Sequence, residues 1–453
     1  MFDRILICNR GEIAVRIIRA CRDLGISTAV AYSAADRDSR AVQLADEAVC
    51  VGPGPSARSY LNIPALIHAV AKVGADAVHP GYGFLSEDAH FAEICANLGI
   101  AYIGPPAEVI RAMSDKSRAR AMMAAAGMPV PAGIERPLRD VTEAAERADA
   151  VGYPVMLKAA AGGGGRGMAV VRGPGELAEA FEEVRQVART VFLDERVYLE
   201  KFVEDARHVE IQVLADSHGT VLHLGERDCS IQRRRQKLVE ESPSPVLSDE
   251  LRARMSEASV AGARAIGYVS AGTMEFLVDP AGDFYFMEMN TRIQVEHPVT
   301  EMCTGVDLVA WMIRIAAGER LPFGQPDIRP VGHAIECRVN SEDVLRDWAG
   351  CFGRLDRFAP PAGPGVRVDT HAYPGYLVPP YYDSLLAKVI VHADTREEAI
   401  RRMDRALAEF DCTGVTTTIA FHRELLDHPS FRAGEHRLDF IERHLTPDGH
   451  LAA

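Results

Sequence analysis

The pattern of apolar and polar positions at the start of the chain predicts alternating strands and helices. Residues 5–8 form an apolar run that predicts a short strand, and apolar residues recur at helical spacing over 13–21, which predicts a helix that ends before Gly25. A second strand is predicted over 26–32. Strand, helix and strand in this order indicate the βαβ opening of an α/β domain.

A further apolar strand ends at Val78 and runs into a glycine-rich loop over 79–87. Ligands in open α/β sheets bind beyond the carboxyl ends of strands, so this loop is a candidate binding segment. A purely structural turn that packs Tyr82 would explain the same residues. The loop therefore needs support from the rest of the chain.

A run of four glycines follows the strand predicted over 153–158, after a helix predicted over 117–126 and a proline-rich boundary that begins at Pro129. Glycine lets backbone N–H groups close around phosphate oxygens, and Lys158 stands at the mouth of the loop as a counter-charge. The residue order is not that of a Walker loop. We interpret the segment as a flexible lid over a nucleotide rather than a linker, because linkers do not usually follow a buried apolar strand.

The segment 287–298 has polar residues at alternate positions and apolar residues at most of the others. An extended backbone would place its five polar groups along one side. A solvated strand face is the simpler alternative, but asparagine is a poor strand former. Carboxylate and amide oxygens suit a hard cation, and an arginine fork suits a small oxyanion. The five polar residues are Glu288, Asn290, Arg292, Gln294 and Glu296.

Strands predicted over 273–277 and 284–288 would form a hairpin that brings Glu275 and Glu288 together. Two carboxylates at close range repel each other unless a cation lies between them, so the pattern predicts a shared Mg²⁺. The segment 226–237 is rich in cations and is a candidate trap for an anion.

Composition is that of a globular enzyme with several domains. The 453 residues suggest about three domains, and 47% hydrophobic and 25% charged residues are ordinary values. A net charge of −14 without a basic stripe argues against a nucleic-acid partner. The sequence has no signal peptide and no apolar span of membrane length, so a cytoplasmic protein is expected. Nine scattered cysteines predict neither a disulfide framework nor a zinc site.

Lysine is scarce among the 50 basic residues. In a chain so biased towards arginine, a lysine is expected where a compact point charge is required. Lys72 has the surroundings of an ordinary helix surface. The other lysines lie in distinctive local sequences and are Lys116, Lys158, Lys201, Lys237 and Lys388.

The chain resembles the biotin carboxylase subunits of acetyl-CoA carboxylase and their relatives, within the ATP-grasp superfamily. The likeness extends from 6–14, Leu-Ile-Cys-Asn-Arg-Gly-Glu-Ile-Ala, to 379–384, Pro-Pro-Tyr-Tyr-Asp-Ser, and its most specific part is 288–298. The resemblance implies ATP-driven carboxylation of biotin by bicarbonate, the first half-reaction of an acyl-CoA carboxylase.

The resemblance implies an α/β and α+β fold of ATP-grasp type. A Rossmann-like N-terminal domain is expected over 1–115, a helical linker over 116–130 and a small mobile lid over 131–203. The ATP-grasp core is expected over 204–330 and a mixed α+β C-terminal region over 331–453.

The resemblance also assigns expected roles to individual residues. ATP would contact Lys116, Lys158, Gly164, Gly165, Glu200, Lys201, Phe202, Val203, His208, Gln232, Arg235, Glu275, Leu277 and Glu288. Two Mg²⁺ or Mn²⁺ ions would be held by Glu275, Glu288 and Asn290. Bicarbonate would be held by Lys237, Arg292, Gln294, the backbone of Val295 and Glu296. Biotin would be held by Tyr82, Gly83 and Arg338. The catalytic residues would be Glu296 as the base, Arg292, Arg338 and Lys237.

The expected partners are a biotin carboxyl carrier protein and carboxyltransferase subunits, because the chain has no Met-Lys-Met sequence to carry biotin itself. A homodimer is also expected. At the dimer patch of the family, Arg19 and Arg367 match the bacterial subunits, whereas Asp23 and Pro364 replace a Glu and a Phe.

Two segments of the chain depart from the family pattern. Arg235 replaces a His in the sequence Gln-Arg-Arg-His-Gln-Lys, and 348–354 replaces a turn with the sequence Pro-Ser-Pro-Gly. Both departures concern loops rather than the specific strip over 288–298.

Two other functions remain open from the sequence. Another ATP-grasp ligase, which activates a carboxylate for attack by an amine, would share the lid and the paired carboxylates but would not need Tyr82, Arg338 and Glu296 together. A non-catalytic nucleotide-binding scaffold would have no need for Lys237, Arg292 and Glu296. The final acceptor, whether acetyl-CoA, propionyl-CoA or pyruvate, is not encoded here because it belongs to the transferase.

Overall fold

The N-terminal strands form a parallel sheet, as the alternation of strands and helices predicts. The computed structural model describes residues 1–133, 136–160, 167–446 and 449–452. The strands are β1 (Arg4–Ile7), β2 (Ser27–Ser33), β3 (Glu47–Gly52), β4 (Ala77–His79) and β5 (Ala101–Tyr102), paired in the order β3-β2-β1-β4-β5. The helices are α1 (Gly11–Asp23), α2 (Arg40–Leu44), α3 (Ile63–Val73), α4 (Ala89–Asn97) and α5 (Ala107–Ser114).

The predicted positions of β1, α1 and β2 are confirmed to within two residues, and helix α1 shows why. Its apolar residues Ile13, Ile17 and Ile18 recur at helical spacing and are buried in one hydrophobic cluster with Ile5 and Ile7 of β1. Burying that stripe against the sheet fixes the helix on one face. The loop after β4 is thereby left at the carboxyl edge of the sheet, where the glycine-rich segment 79–87 lies.

A small antiparallel unit with its own core follows the linker helix α6 (Lys116–Ala125). Its elements are α7 (Val141–Val151), β6 (Val155–Ala159), β7 (Met168–Val171), α8 (Pro174–Val191) and β8 (Val197–Lys201), with the strands in the order β7-β6-β8. Leu157, Phe181 and Leu199 are buried between the helices and the sheet. This unit lies within 131–203, the range expected for the lid, and we call it the lid unit, or lid, below.

A large antiparallel sheet forms the centre of the molecule. It begins with β9 (Arg207–Ala215), β10 (Val221–Arg233), β11 (Gln236–Ser242), β12 (Ser270–Val278), β13 (Phe284–Asn290) and β14 (His333–Asn340). Helices α9 (Asp249–Ala265), α10 (His297–Thr304) and α11 (Leu308–Ala316) lie between these strands in the chain.

The C-terminal part adds further strands and helices. These are β15 (Glu342–Asp343), β16 (Ala349–Gly350), β17 (Gly353–Arg354), β18 (Arg357–Ala359), β19 (Val366–Thr370), β20 (Leu377–Val378), β21 (Leu385–Ala393), α12 (Arg396–Glu409), β22 (Asp411–Thr413), α13 (Ile419–Asp427), α14 (Pro429–Arg432) and α15 (Phe440–His444). Short 3₁₀ turns occur at Ala34–Asp36, Ser56–Arg58, Gln325–Asp327 and Val344–Arg346. The central sheet has the order β13-β12-β9-β10-β11-β14-β21-β19, so hydrogen bonding runs unbroken across the predicted boundary at 330.

The strip over 288–296 is extended only in its first half. Strand β13 ends at Asn290, and the backbone N–H of Thr291 donates to the carboxylate of Glu87 at 3.0 Å instead of to a neighbouring strand. Helix α10 then begins at His297 with Pro298 in its first turn, a position proline favours. The expectation of five polar groups along one extended edge is therefore wrong beyond Asn290.

Helices long and apolar enough to cross a membrane are absent from the part of the chain that the structure describes.

Candidate active site

The hairpin of β12 and β13 brings two carboxylates together, as predicted. Glu275 is the register partner of Glu288, and Thr273 is the partner of Asn290. The side chain of Glu275 is nearly buried, whereas that of Glu288 is more open and lies 3.3 Å from the ammonium of Lys116. Like charges directly opposite each other on a sheet are destabilising, so this pair of carboxylates is suited to a shared cation.

Lys237, near the start of β11, is surrounded by three carboxylates. Its Nζ lies 2.6 Å from Glu210, 3.0 Å from Glu275 and 2.5 Å from Glu296. Burial alone would lower the pKa of Lys237, but the three carboxylates outweigh it and raise the pKa well above its ordinary value. The residue is therefore a fixed positive charge at the centre of the site.

Glu296 lies between two cations that belong to different strands. One carboxylate oxygen accepts from Lys237 and the other accepts from Arg338 of β14 at 2.8 Å. Burial raises the pKa of Glu296, yet Lys237 and Arg338 reverse that effect and the net pKa lies below its ordinary value. Arg338 is held in turn by Glu240, whose carboxylate accepts from Nε at 2.7 Å.

Arg292 and Gln294 also point into the site, although neither lies in a strand. Arg292 donates to Glu87 at 2.9 Å and to the amide oxygen of Asn290 at 2.7 Å. Gln294 donates to Glu275 at 2.7 Å. Glu87 belongs to the loop 79–87, so that loop orients an arginine of the predicted anion site.

Arg227 of β10 is a buried residue that sequence reasoning missed. Its guanidinium donates to Glu210 at 2.5 Å, Gln212 at 2.7 Å, Thr300 at 2.9 Å, Gln294 at 2.9 Å and Thr273 at 3.0 Å. It therefore ties β9, β12 and α10 together, and it shares Glu210 with Lys237. The other cations of 226–237 are exposed or only partly buried, and the composition of the segment gave no signal that this one arginine is fully enclosed.

Lys388 and Glu12 form a buried ion pair at the N-terminal side of the site. The ammonium lies 3.1 Å from Glu12 and donates at 2.7 Å to the backbone carbonyl of Val295. Glu12 also accepts from the hydroxyl of Tyr82 at 2.5 Å. The scarcity of lysine singled out Lys388 in the sequence. That Lys388 connects β21 with α1 and with the segment 288–296 was not predicted.

The lid side of the site carries another cluster of charge. Lys158 and Arg120 both contact the carboxylate of Glu200. Burial, followed by the neighbouring Arg120, Lys116 and Arg235, lowers the pKa of Lys158 to about 7 even though it contacts Glu200. An excess of cations faces this part of the site, which is what a polyanion such as a triphosphate requires.

The side chain of Lys201 is hydrogen-bonded within the lid. Its ammonium donates to the backbone carbonyls of Gly152 and Tyr153 at 2.9 and 3.0 Å. The segment after it, Phe202 and Val203, continues along the cavity wall. This segment thus presents mainly backbone and apolar surface to the cavity, as the pocket for a nucleobase would.

A cavity of about 910 Å³ lies between the lid and the central sheet. It brings together nearly all of the predicted site residues, namely Tyr82, Lys116, Lys158, Glu200, Lys201, Phe202, Val203, His208, Gln232, Arg235, Lys237, Glu275, Leu277, Glu288, Asn290, Arg292, Gln294, Val295, Glu296 and Arg338. Gly83 follows Tyr82 with a φ of +68° but does not line this cavity. Gly164 and Gly165 lie outside the described residues.

Family comparison divides the chain into three matched regions. Residues 1–110 match "Biotin carboxylase, N-terminal domain", 115–323 match "Carbamoyl-phosphate synthase L chain, ATP binding domain", and 336–443 match "Biotin carboxylase C-terminal domain". Together these regions span nearly the whole chain.

Comparison with individual proteins gives the same result. The chain is 55% identical to a biotin carboxylase of Nostoc sp. over 97% of its own length and 99% of that protein. A biotin carboxylase from Campylobacter jejuni, solved as a β,γ-ATP complex, is 46% identical with a TM-score of 0.95, covering 98% and 99% of the two chains. The biotin carboxylase domain dimer of Hydrogenobacter thermophilus 2-oxoglutarate carboxylase, solved with MgADP, ADP and bicarbonate, is 48% identical with a TM-score of 0.94 over the whole of both chains.

Proposed function

The chain belongs to the biotin carboxylase family, and on this premise we propose that it carboxylates biotin with ATP and bicarbonate through a carboxyphosphate intermediate. The observation that carries the proposal is the position of Glu296 between Lys237 and Arg338, within a cavity that also contains the Glu275–Glu288 pair. The first step of this reaction needs a base to remove a proton from bicarbonate and fixed cations to neutralise the reacting anions.

Nucleotide binding is proposed for the lid side of the cavity. Lys116, Lys158 and Arg235 supply positive charge there, and Phe202 with Leu277 supplies apolar surface. His208 and Gln232 complete the wall beside the paired carboxylates. Gly164 and Gly165 are proposed as phosphate contacts of the lid from the sequence alone.

Divalent metal fits the residues present. Glu275 and Glu288 face each other in register, and Asn290 adds an amide oxygen at the end of the same strand, which is the oxygen donor set that Mg²⁺ or Mn²⁺ prefers. Bound metal ions supply neutralisation of the phosphate charge. Lys237 and Lys116, which contact these two carboxylates, would hold the same oxygens in place before the metal–nucleotide complex arrives.

Bicarbonate is proposed to lie against Lys237, Arg292, Gln294 and the backbone of Val295. Its oxygen would attack the γ-phosphorus of ATP as the bond to ADP breaks, which gives carboxyphosphate and ADP. The attack joins two anions, so the cations must cancel their repulsion and align the reacting oxygen. Glu296 would remove the bicarbonate proton as the oxygen attacks. A pKa below the ordinary value means that Glu296 is ionised at neutral pH and ready to accept this proton.

Carboxyphosphate then breaks into CO₂ and phosphate, and phosphate takes the proton from the ureido nitrogen of biotin. The nitrogen attacks CO₂ as negative charge builds on the ureido oxygen. Arg338, fixed by Glu240 and Glu296, is proposed to stabilise that oxygen, and the loop at Tyr82 and Gly83 to hold the ring. The lid would exclude water from carboxyphosphate during this step.

Biotin is proposed to arrive on a separate carrier protein, with carboxyltransferase subunits using the product. The acceptor stays open, because residues that choose it belong to the transferase and the similar proteins include a 2-oxoglutarate carboxylase domain. A homodimer is proposed through the patch around Arg19 and Arg367, which line one surface hollow with Asp23.

The competing ligase function is less well supported. A ligase that condenses a carboxylate with an amine has no use for a base paired with Arg338 over a cavity that Tyr82 also lines. The two functions predict different activators.

ATP hydrolysis by the purified chain tests the proposal. We expect Mg²⁺-dependent turnover that requires bicarbonate and rises when free biotin is added. Glu296→Gln should lower this turnover by about 10²- to 10³-fold, while the exposed Glu257→Gln on α9 should leave it unchanged. If an amine or amino acid stimulates the rate and biotin does not, the ligase function replaces the proposal.

A further inference from the structure

Two tight turns of non-glycine residues contact each other beside the cavity. Arg234 and Arg235, between β10 and β11, have φ of +47° and +67°, and Asp347 and Trp348, before β16, have φ of +53° and +62°. Left-handed backbone is unfavourable for side chains other than glycine and persists when surrounding contacts hold it. The same two turns contain the departures from the family pattern at 235 and 348–354.

Asp347 joins the turns through ion pairs. Its carboxylate accepts from Arg234 at 3.0 Å and also contacts the guanidinium of Arg233, which donates to the Asp347 backbone carbonyl at 3.2 Å. The hydrogen bond from Arg234 and the charge of Arg233 lower the pKa of Asp347. A single carboxylate therefore holds two consecutive arginines of the hairpin.

Trp348 anchors the contact in the C-terminal core. Its ring is 7% exposed, lies under the Arg233 guanidinium at 5.1 Å and packs edge-on against Phe421 of α13 at 4.9 Å. A cation above an indole face is attracted by the ring quadrupole. The hairpin of β10 and β11 is thus attached to the C-terminal core.

Arg235 lies at the far end of this connection. It lines the cavity together with Lys237, and its Nη1 lies 2.7 Å from Met168 Sδ on the lid strand β7. It is also one of the cations that lower the pKa of Lys158. Arg235 consequently spans the space between the central sheet and the lid.

We infer that the Asp347–Trp348 turn is a clamp that positions Arg235 for binding the phosphates of the nucleotide. The inference rests on the proposed function for the identity of the ligand and adds to it a positioning element outside the cavity. Asp347 and Trp348 do not line the cavity. They act by restricting the conformations of 233–235, so that the cost of ordering Arg235 is met before the nucleotide binds.

Asp347→Asn is the sharpest variant, because asparagine tolerates left-handed backbone while losing the charge. We expect the dissociation constant for the Mg²⁺ complex of the non-hydrolysable β,γ-imido analogue of ATP to rise about three- to tenfold, with the KM for ATP rising equally and kcat staying within about twofold. Trp348→Phe, which keeps the packing on Phe421, should give a smaller rise. Asp404→Asn, which breaks the exposed 2.9 Å pair with Arg423, is the matched control and should bind like the wild type.

A double-mutant cycle separates positioning from general loosening. In an Arg235→Ala background, Asp347→Asn should cause no further loss of affinity, since the residue it positions is gone. Fully additive losses, or unchanged affinity in both Asp347→Asn and Trp348→Phe, would overturn the inference. Analogue binding is measured without biotin, so failure of biotin-dependent turnover would refute the proposed function while leaving this test intact.

Discussion

At the scale of single residues, the site is organised by buried carboxylates that each bind more than one cation. Glu296 and Glu210 both contact Lys237, and each also contacts an arginine, Arg338 and Arg227 respectively. Burial alone would raise the pKa of Glu210, but Arg227 and Lys237 hold it well below its ordinary value. The charges are thus fixed before any substrate binds.

Arg338→Ala should slow biotin carboxylation far more than it weakens ATP binding. The guanidinium contacts Glu240 and Glu296 rather than the lid, so its loss removes stabilisation of the ureido oxygen but leaves the phosphate site. We expect kcat with free biotin to fall by about 10²- to 10³-fold, while the dissociation constant of ATP changes less than about threefold.

Exposed Arg357→Ala on β18 is the control for that measurement. Equal losses in turnover and in ATP affinity would argue against the role of Arg338, because they would indicate general damage to the cavity.

Nucleotide affinity should depend on pH through Lys158. Its pKa of about 7 in the free protein means that the ammonium loses its proton as pH rises above 7, so the site loses positive charge and ATP binding weakens. At a pH between this value and the ordinary pKa of lysine, ATP binding should therefore be accompanied by uptake of a proton at Lys158. Calorimetry at pH 7.5 to 8 in buffers of different ionisation enthalpy measures this uptake, and Lys158→Arg, which stays protonated, should abolish it. Proton release instead of uptake would contradict the prediction.

At the scale of elements, strand β11 joins the cavity to the C-terminal region. Lys237 near its start faces the cavity, whereas Glu241 near its end accepts from His333 of β14 at 2.7 Å and from Arg396 of α12 at 2.7 and 3.1 Å. One strand therefore carries both a site residue and a structural ion cluster. The loop 79–87 also connects two parts of the molecule, because Tyr82 donates to Glu12 of α1 and Glu87 accepts from Arg292 of the site.

Glu241→Gln should lower the free energy of unfolding by about 2 to 3 kcal/mol, because it leaves the partly buried Arg396 without its counter-charge. Despite burial, which raises the pKa of Glu241, its partners hold that pKa at about 2. The pKa of an unfolded glutamate is about 4.3, so this contribution to stability is complete above that pH and is lost as pH falls towards 2. Chemical denaturation at pH 7 and pH 3 measures both effects.

Exposed Glu257→Gln serves as the control for that variant as well. A stability difference between wild type and Glu241→Gln that does not shrink between pH 7 and pH 3 would show that the carboxylate charge is not responsible.

At the scale of the whole molecule, the hollow lined by Arg19, Asp23 and Arg367 is the proposed contact between two copies. Arg367 is held by Glu301 and Asp369 at 2.7 Å each, so its position is fixed, whereas Arg19 and Asp23 are exposed on α1. Arg19→Glu should shift the chain to monomers in sedimentation velocity, because it reverses an interface charge. Arg22→Glu on the same helix, outside the hollow, should leave the distribution unchanged, and equal effects of both would argue against this interface.

The sequence determined the chemistry of the site and most of the elements that carry it. Apolar spacing fixed β1, α1 and β2, and the apolar strands around Pro280 predicted the register that opposes Glu275 to Glu288. Scarce lysines pointed to Lys237 and Lys158. These features are local, because periodicity and residue type act over a few neighbouring residues.

Only the tertiary structure decided which charges meet. Glu87 accepts from Thr291, 204 positions away in the chain, at the point where the strand ends, and Arg227 binds side chains from four separate segments. The clamp of Asp347 on Arg233 and Arg234 likewise joins residues more than 110 positions apart. Such contacts depend on how sheets and loops pack, and a buried polar group finds its partner wherever the fold brings one within hydrogen-bonding distance.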